Sequence, residues 1–445
     1  MLNYIWLTLV LLAVTIGGWN DRLKNVTDGA FDGAKTAVTI ALGLIGIMAM
    51  WLGLMRLAER AGLIQRIARA LRPIMRRLFP DVPPEHPAMG SMLMNMAANM
   101  LGLGNAATPL GLRAMRDLER LNPHPGTASN AMCTFLAVNT SSVQLIPTTA
   151  IAILAAGGST RPTAIVGTAL LATLCAATTA LVAVKLLEKL PLFRAPAPAP
   201  ASARTADEVS APTPEAEEAV PTPLRSPPLW ATALLILLGV FFLALFVRMV
   251  FPALFNLPLA PAAADQSPFV RSVNALSILA IPFLLSFFPL YALSRGLKVY
   301  DEFVEGAKEG FSVVLRIIPF LVTMLVAINM FKGAGGIDLL TRALAPILAP
   351  LHFPPDLLPL ALMRPLSGGA TLALLTDVVQ RFGGDNLMSF MAATIYGSTE
   401  TTFYVAAVYF GSVGVKQTRH AIPAGLMGDF VGVVASVVIC RAVLG

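Results

Sequence analysis

The amino-acid sequence predicts an all-α, polytopic integral membrane protein built from two inverted repeats that contain broken or re-entrant helices. Three observations predict it: an apolar composition, a series of charge-free runs of bilayer length, and a self-similarity at one constant offset. Of the 445 residues, 56% are hydrophobic and 13% charged, against about 25% charged in an average soluble domain. One water-soluble core of this size cannot hide so much apolar surface, so lipid is the better solvent. The net charge of +7 does not point to nucleic acid, because the arginines gather beside hydrophobic runs, where cytoplasmic loops collect them.

Charge-free stretches run from Met1 to Asn20, Thr36 to Met55, Pro162 to Val184, Leu229 to Val247 and Ser272 to Ser294, each near the roughly 20 residues a spanning helix needs. The first has no basic leader and no small-residue cleavage site, so a retained helix is expected rather than a cleaved signal. Three further runs are interrupted: Phe311 to Phe331 by Arg316 and Pro319, Asn386 to Val415 by Glu400, and Ala421 to Cys440 by Asp429. Lipid tolerates such residues only where protein or a water-filled cavity satisfies them, so these segments should face the interior. Two more regions are apolar but punctuated. Ala88 to Leu112 holds Asn95, Asn99, Asn105, Thr108, Pro109 and four glycines, and Leu121 to Thr160 holds Asn130, Asn139, Thr140, Ser141, Ser142, Gln144 and Pro147. Both read as broken or re-entrant helices.

Between Ala195 and Pro228 the composition changes to Ala-Pro alternation and then Thr, Glu and Pro, the mark of an extended, disordered linker. It separates residues 1–194 from residues 229–445 and prompts a search for repetition. Asp32-Gly33-Ala34-Lys35 matches Glu305-Gly306-Ala307-Lys308, and Arg69 to Ile74 matches Arg342 to Ile347, both displaced by the same 273 residues. Each half then reads as spans, an amphipathic helix, a Pro-Pro loop (Pro83-Pro84, Pro354-Pro355) and a broken apolar hairpin. Arg56 to Arg77 carries seven arginines against Glu59, whereas Asn329 to Pro350 carries only Lys332 and Arg342 against Asp338. If arginine marks the cytoplasmic side, the same element lies on opposite faces in the two halves. The run Leu229 to Val247 supplies the extra crossing that would invert the second copy, and Arg56 to Arg77 is expected in the cytoplasmic interface beside anionic headgroups.

The polar breaks are the candidate site. Asn139, Thr140, Ser141, Ser142 and Gln144 in the first half correspond in place to Ser398, Thr399, Glu400, Thr401 and Thr402 in the second. Unwound segments offer hydroxyls, amides and freed backbone groups to a solute near the midplane, although Ser, Thr and Asn also glue membrane helices together at about 0.6 kcal/mol per bond. Glu400 at mid-bilayer costs at least about 2.5 kcal/mol and needs a partner or a proton. Arg364, in the run Met363 to Gly369, is the partner candidate, with Ser367 beside it. The pair serves either a solute or the packing. Asn95 and Asn99 share a helical face and lead through Gly-Leu-Gly to Asn105. Met92, Met94, Met96 and Met100 read as packing rather than a copper site, and Cys133, Cys175 and Cys440 as small core residues. His86, His124, His352 and His420 have no metal spacing, and no nucleotide-binding, zinc-protease or nucleophile-elbow motif occurs. No enzyme activity, cofactor or metal is expected.

The motifs carry a resemblance. Ala41 to Gly46, Met94 to Thr108 and Asn139 to Pro147 resemble the spore maturation protein A family, and Val299 to Gly310, Arg364 to Gly368 and Tyr396 to Val405 resemble the spore maturation protein B family. The chain looks like a fusion of the two, both within the nucleoside-recognition, or Gate-domain, family. The resemblance implies a multi-pass protein of the cytoplasmic (inner) membrane with a transport-like gate, and a link to cortex maturation in spore formers. The leading expectation is therefore a transporter or gate for a small polar solute, nucleoside-like by family label. The alternative is a non-transporting scaffold for cell-envelope or peptidoglycan maturation. Membrane lipids are the expected surroundings, with envelope proteins or a second copy of the chain as the partners such a scaffold would hold, and no nucleic acid.

Overall fold

A computed structural model describes residues 2–102, 104–193, 227–255, 266–336, 339, 342 and 353–445. The Pro/Ala/Glu linker falls outside these, apart from Pro227 and Pro228, as does most of the second-half counterpart of the arginine-rich helix. Among the described residues the chain is helical throughout, with one isolated bridge between Thr127 and Gln417. Five helices among the described residues are long and apolar enough to cross a membrane.

The first half opens with α1 (Leu2–Trp19), α2 (Leu23–Arg60) and the amphipathic α3 (Leu63–Leu78). A hairpin follows, α4 (Pro87–Met100) and α5 (Gly104–Arg120). Next come two half-helices, α6 (Asn130–Ser141) and α7 (Thr148–Ala156), and the long α8 (Ile165–Leu187). The second half begins with α9 (Leu229–Val250) and α10 (Pro268–Ser294). It then repeats the plan with α11 (Val299–Gly333), the short α12 (Leu358–Met363), α13 (Gly368–Phe382), the half-helices α14 (Leu387–Ser398) and α15 (Thr402–Gly411), and α16 (Ala421–Leu444). Asn386 to Val415, expected as an interrupted span, is thus two pieces. Its first piece matches α6 in length, 12 residues each. The arginine-rich stretch also divides differently from expectation: Arg56 and Arg60 belong to the end of α2, and only Arg66 to Arg77 ride on α3.

The two copies meet along α2 and α11. Gly29 faces Asn329, Gly33 faces Leu325, and in the reverse direction Gly306 faces Leu52 and Gly310 faces Ala49. The pairing is antiparallel and self-consistent: Gly33 and Leu52 correspond, across the 273-residue repeat, to Gly306 and Leu325. Equivalent surfaces facing one another in opposite senses define a two-fold axis perpendicular to the helices. With α2 across the bilayer that axis lies in the membrane plane, so the modules are inverted. The same relation recurs between α8 and α16, where Gly428 and Gly432 pack on Ala180 and Ala176. Each leading helix crosses to the other copy. Trp6 Nε1 on α1 donates to Thr323 O of α11 at 3.0 Å, while α10 packs against α2.

The outside is apolar. On α9, Leu229, Ile236, Leu237, Val240 and Leu243 are exposed, and the helix packs mainly on α10. A face of that kind belongs in hydrocarbon. Cys133 and Cys440 are buried, but Cys175 is exposed on α8.

At one end of the molecule Asp385, between α13 and α14, clasps the loop between α7 and α8. Its carboxylate accepts from Ser159 Oγ (2.6 Å), Thr160 Oγ1 (2.7 Å), Thr160 N (3.0 Å) and Arg161 N (3.4 Å). The Ser159 and Thr160 hydroxyls, with the backbone donors, hold this carboxyl well below the usual carboxylate range.

Two predictions follow from these contacts. A methyl group on Gly33 or Gly306 would lie 2.6 Å from the Leu325 or Leu52 carbonyl oxygen, so Gly33→Val and Gly306→Val should each cost about 3 kcal/mol or more by forcing the backbones apart. Gly46→Ala, with open space at that position, should change stability by at most about 1 kcal/mol; calorimetry in detergent separates the cases. The Asp385 clasp contributes fully above the ordinary carboxylate value of about 4 and is lost as pH falls through its lower folded value. Asp385→Ala should therefore lower the unfolding midpoint by about 2 °C at pH 7, a gap that closes on acidification.

Candidate functional site

Both breaks arise from the same local chemistry. Ser129 and Asn386 cap the starts of α6 and α14, their side chains accepting from Met132 N and Met388 N. At the far ends, hydroxyls turn back on the helix. Ser141 Oγ donates to Ala137 O at 2.8 Å, Thr140 Oγ1 to the same oxygen at 3.2 Å, and Ser398 Oγ to Ile395 O at 3.0 Å. Such back-bonding competes with helix continuation. Ser142 then takes a φ of 27°, a region that side chains rarely occupy, and the first chain unwinds.

The unwound backbone is satisfied inside the protein, as lipid demands. Thr173 Oγ1 on α8 donates to Ser141 O at 3.0 Å and Ser142 O at 2.7 Å. Across the two-fold relation, Glu400 N donates to Thr140 O at 2.7 Å. The two breaks therefore touch. Behind them runs a polar chain in which Asn95 Nδ2 donates to Ala107 O (2.8 Å) and Tyr409 Oη (3.2 Å). Asn139 Oδ1 then accepts from Asn99 Nδ2 (2.9 Å) and from Tyr409 Oη (3.4 Å).

Beside this junction lies a cavity of about 250 Å³. From the breaks it is lined by Gln144, Pro147, Thr148, Thr149, Arg364, Tyr396 and Glu400, and from the α2/α11 pair by Trp51, Arg56, Glu59 and Glu309. Arg364 is 3% exposed, its guanidinium lies 4.8 Å from the Tyr396 ring centroid, and its Nε has no protein partner. Its nearest carboxylate is Glu400, at 3.8 Å. That distance is an ion pair but too long for a direct hydrogen bond, so both groups keep capacity for a third party between them. At the other end Arg56 pairs with Glu309 (2.7 Å) and Glu302 (3.1 Å), and Glu59 is exposed.

Of the residues singled out from the sequence, Gln144, Arg364 and Glu400 line the cavity. Asn95, Asn139, Thr140, Ser141, Ser142, Ser398, Thr399, Thr401 and Thr402 are buried behind it; Asn95, Asn139, Thr140, Ser141 and Ser398 bond to backbone carbonyls, Thr402 bonds to Asp429, and the Ser142 and Thr399 hydroxyls have no protein partner. Asn99 is half-buried against Asn139, and Ser367 caps α13 by accepting from Ala370 N at 3.2 Å. Asn105 opens α5, and its side chain lies outside the described residues. Arg56, Glu59 and Glu309 were not legible as site residues. Their only mark was charge beside an apolar run, which loops share, and the antiparallel α2/α11 pairing is what brings them together. Among the described residues no group of three His, Cys, Asp or Glu side chains is placed to hold a metal ion.

Comparison with known proteins places the sequence in a family. The family model described as nucleoside recognition, the Gate domain, matches residues 41–188 and 314–416. Spore maturation protein A of Bacillus subtilis (strain 168) is 50% identical over 174 residues, which is 39% of this chain and 89% of that protein. Spore maturation protein B of the same organism is 41% identical over 173 residues, 39% of this chain and 97% of that protein. A crystal structure of the Alcanivorax borkumensis YdaH transporter aligns over 98% of this chain and 96% of its own at 16% identity and a TM-score of 0.43. With its family segments falling in both inverted halves, the chain belongs to the nucleoside-recognition Gate family and resembles a spore maturation protein A joined to a spore maturation protein B.

Proposed function

We propose that this protein is a gate or permease that passes a small polar solute, nucleoside-like in class, across the cytoplasmic (inner) membrane. The observation that carries the reading is the cavity of about 250 Å³ at the junction of the two breaks, with Arg364 and Glu400 3.8 Å apart in its wall. A packed midplane would have favoured the scaffold reading instead.

The lining suits a flat, polar solute without net charge. Trp51 and Tyr396 put aromatic rings in the wall. Glu400 accepts from hydroxyl or amino donors, Arg364 donates to a carbonyl, and Gln144 does either. Both ions are already present, so a neutral solute that inserts between them adds hydrogen bonds without bringing in an unpaired charge. Inverted repeats supply the movement: exchanging the conformations of the two copies transfers the opening from one face to the other around a fixed site. No bond is made or broken, and no organic cofactor takes part. Its partners are the solute and the surrounding lipid.

Uptake of radiolabelled uridine and adenosine into liposomes holding the purified protein tests the reading. Glu400→Gln removes a charge-assisted acceptor worth about 1.5–3 kcal/mol, so uptake at low solute should fall roughly tenfold or more. Gln144→Ala should reduce it several-fold. Asn139→Ala, behind the cavity, should lower the unfolding midpoint more than it lowers flux. Equal uptake by wild type, Glu400→Gln and Gln144→Ala would remove the cavity from any solute path.

A further inference from the structure

Asp429 lies on α16, is 2% exposed, and plays no part in the cavity wall. One carboxylate oxygen, Oδ2, accepts from Thr402 Oγ1 at 2.7 Å. The other, Oδ1, has no protein partner, and neither does the buried hydroxyl of Thr399. A carboxyl group left half-satisfied at this depth is costly and is retained where something else binds it.

The surroundings say what. Gly425, Asp429 and Gly432 share one face of α16 by their spacing. The Thr140 and Thr402 hydroxyls each lie 3.1 Å from the Cβ position of Gly425, and the Thr399 side chain and Ser398 Oγ lie against that of Gly432, at 2.7 and 3.6 Å. The Thr402 hydroxyl on the carboxylate and the Thr140 hydroxyl beside Gly425, one turn away, bring hard oxygen donors from both breaks to this face of α16, and Thr399, whose methyl lies against Gly432, adds a buried hydroxyl with no protein partner. Two helices, α6 and α14, end here at Ser141 and Ser398, and their C-terminal dipoles add negative potential. The start of α15 at Thr402 is the opposing dipole. The charged groups acting on Asp429 are Arg364 and Glu400, and these already pair with each other. With Asp429 ionised, one negative charge is left over.

We propose that Asp429, with the hydroxyls of Thr402, Thr399 and Thr140, binds a sodium ion at the junction of the two breaks. Unwound segments and half-helix C-termini are the usual surroundings of such ions in membrane proteins. The ion would neutralise the surplus charge and tie α16 to both breaks at once. The site concerns ion binding alone and stands whether or not the cavity carries a solute.

The test is thermal unfolding of the purified full chain in detergent, in sodium chloride against choline chloride at equal ionic strength. Sodium should raise the wild-type midpoint by about 3 °C or more, in a saturable manner. Asp429→Asn, nearly isosteric, should lose the sodium response while its midpoint in choline stays equal or rises, because the unpaired charge is gone. Thr399→Val should weaken the response at least fivefold, and it decides the matter if Asp429→Asn does not fold. Gln144→Ala, which changes no charge, should keep the sodium response while its uptake falls, so failure of the ion site and failure of the solute path are distinguishable. No sodium response in wild type, or an undiminished one in Asp429→Asn or in Thr399→Val, overturns the proposal. A midpoint that follows pH but not sodium also overturns it, since the carboxyl would then carry a proton.

Discussion

The close antiparallel contact of α2 with α11 is the constraint on which the rest of the structure depends. Two apolar helices in lipid gain little from the hydrophobic effect by associating, because the hydrocarbon around them is as apolar as they are. What holds them is backbone proximity, and Gly33 and Gly306 permit it by presenting no side chain to the Leu325 and Leu52 carbonyls. The matched Asp-Gly-Ala-Lys and Glu-Gly-Ala-Lys motifs are thus the seam between the copies. Once that seam is closed, α1 is delivered to α11 and α10 to α2, and the two breaks are brought to one level.

The breaks then solve a problem that water would have solved in a soluble protein. Unwinding a helix inside a membrane strands carbonyls and amides that have nowhere to go but into other protein groups. Thr173 takes two of the stranded carbonyls, and the Glu400 amide takes a third from the opposite copy. The junction is therefore mutual: neither break is complete without its surroundings. This explains why so many of the hydroxyls point inward to helix carbonyls. The gluing and the cavity-forming roles are divided between neighbours in one short segment, with Asn139 to Ser142 holding the backbone and Gln144 reaching the space.

Much of this was legible in the sequence, and the limits of legibility have physical causes. The constant displacement from Asp32 to Glu305 and from Arg69 to Arg342 announced the duplication. Polar clusters in charge-free runs announced the breaks, and an isolated arginine and glutamate in apolar contexts announced the Arg364 and Glu400 pair. Asn386 to Val415 was harder, since a run of bilayer length with one charge looks the same whether it crosses once or stops halfway. Only comparison with Asn130 to Ala156 reveals the stop. Arg56 and Glu309 were illegible for a different reason. Local pattern assigns a charge at the end of an apolar run to the membrane surface, and it takes the register of α2 on α11 to show that these two pair with each other and line the cavity.

The distribution of charge between the copies follows from the same geometry. If the modules were identical, any ionised group near the two-fold axis would be met by its own copy, and like charges in a medium of low dielectric repel strongly. A duplicated chain escapes that rule, because each copy changes alone. Here the first half meets the junction with neutral groups, Asn99, Asn139, Thr140 and Gln144, while the second supplies Arg364, Glu400 and Asp429. The ion pair forms within one copy, and its carboxylate sits beside the unwound, uncharged backbone of the other, through the bond from the Glu400 amide to Thr140. Carrying both modules on one chain keeps this unequal pairing obligatory: two second-half modules would place two arginines and four carboxylates about one axis, and two first-half modules would place none.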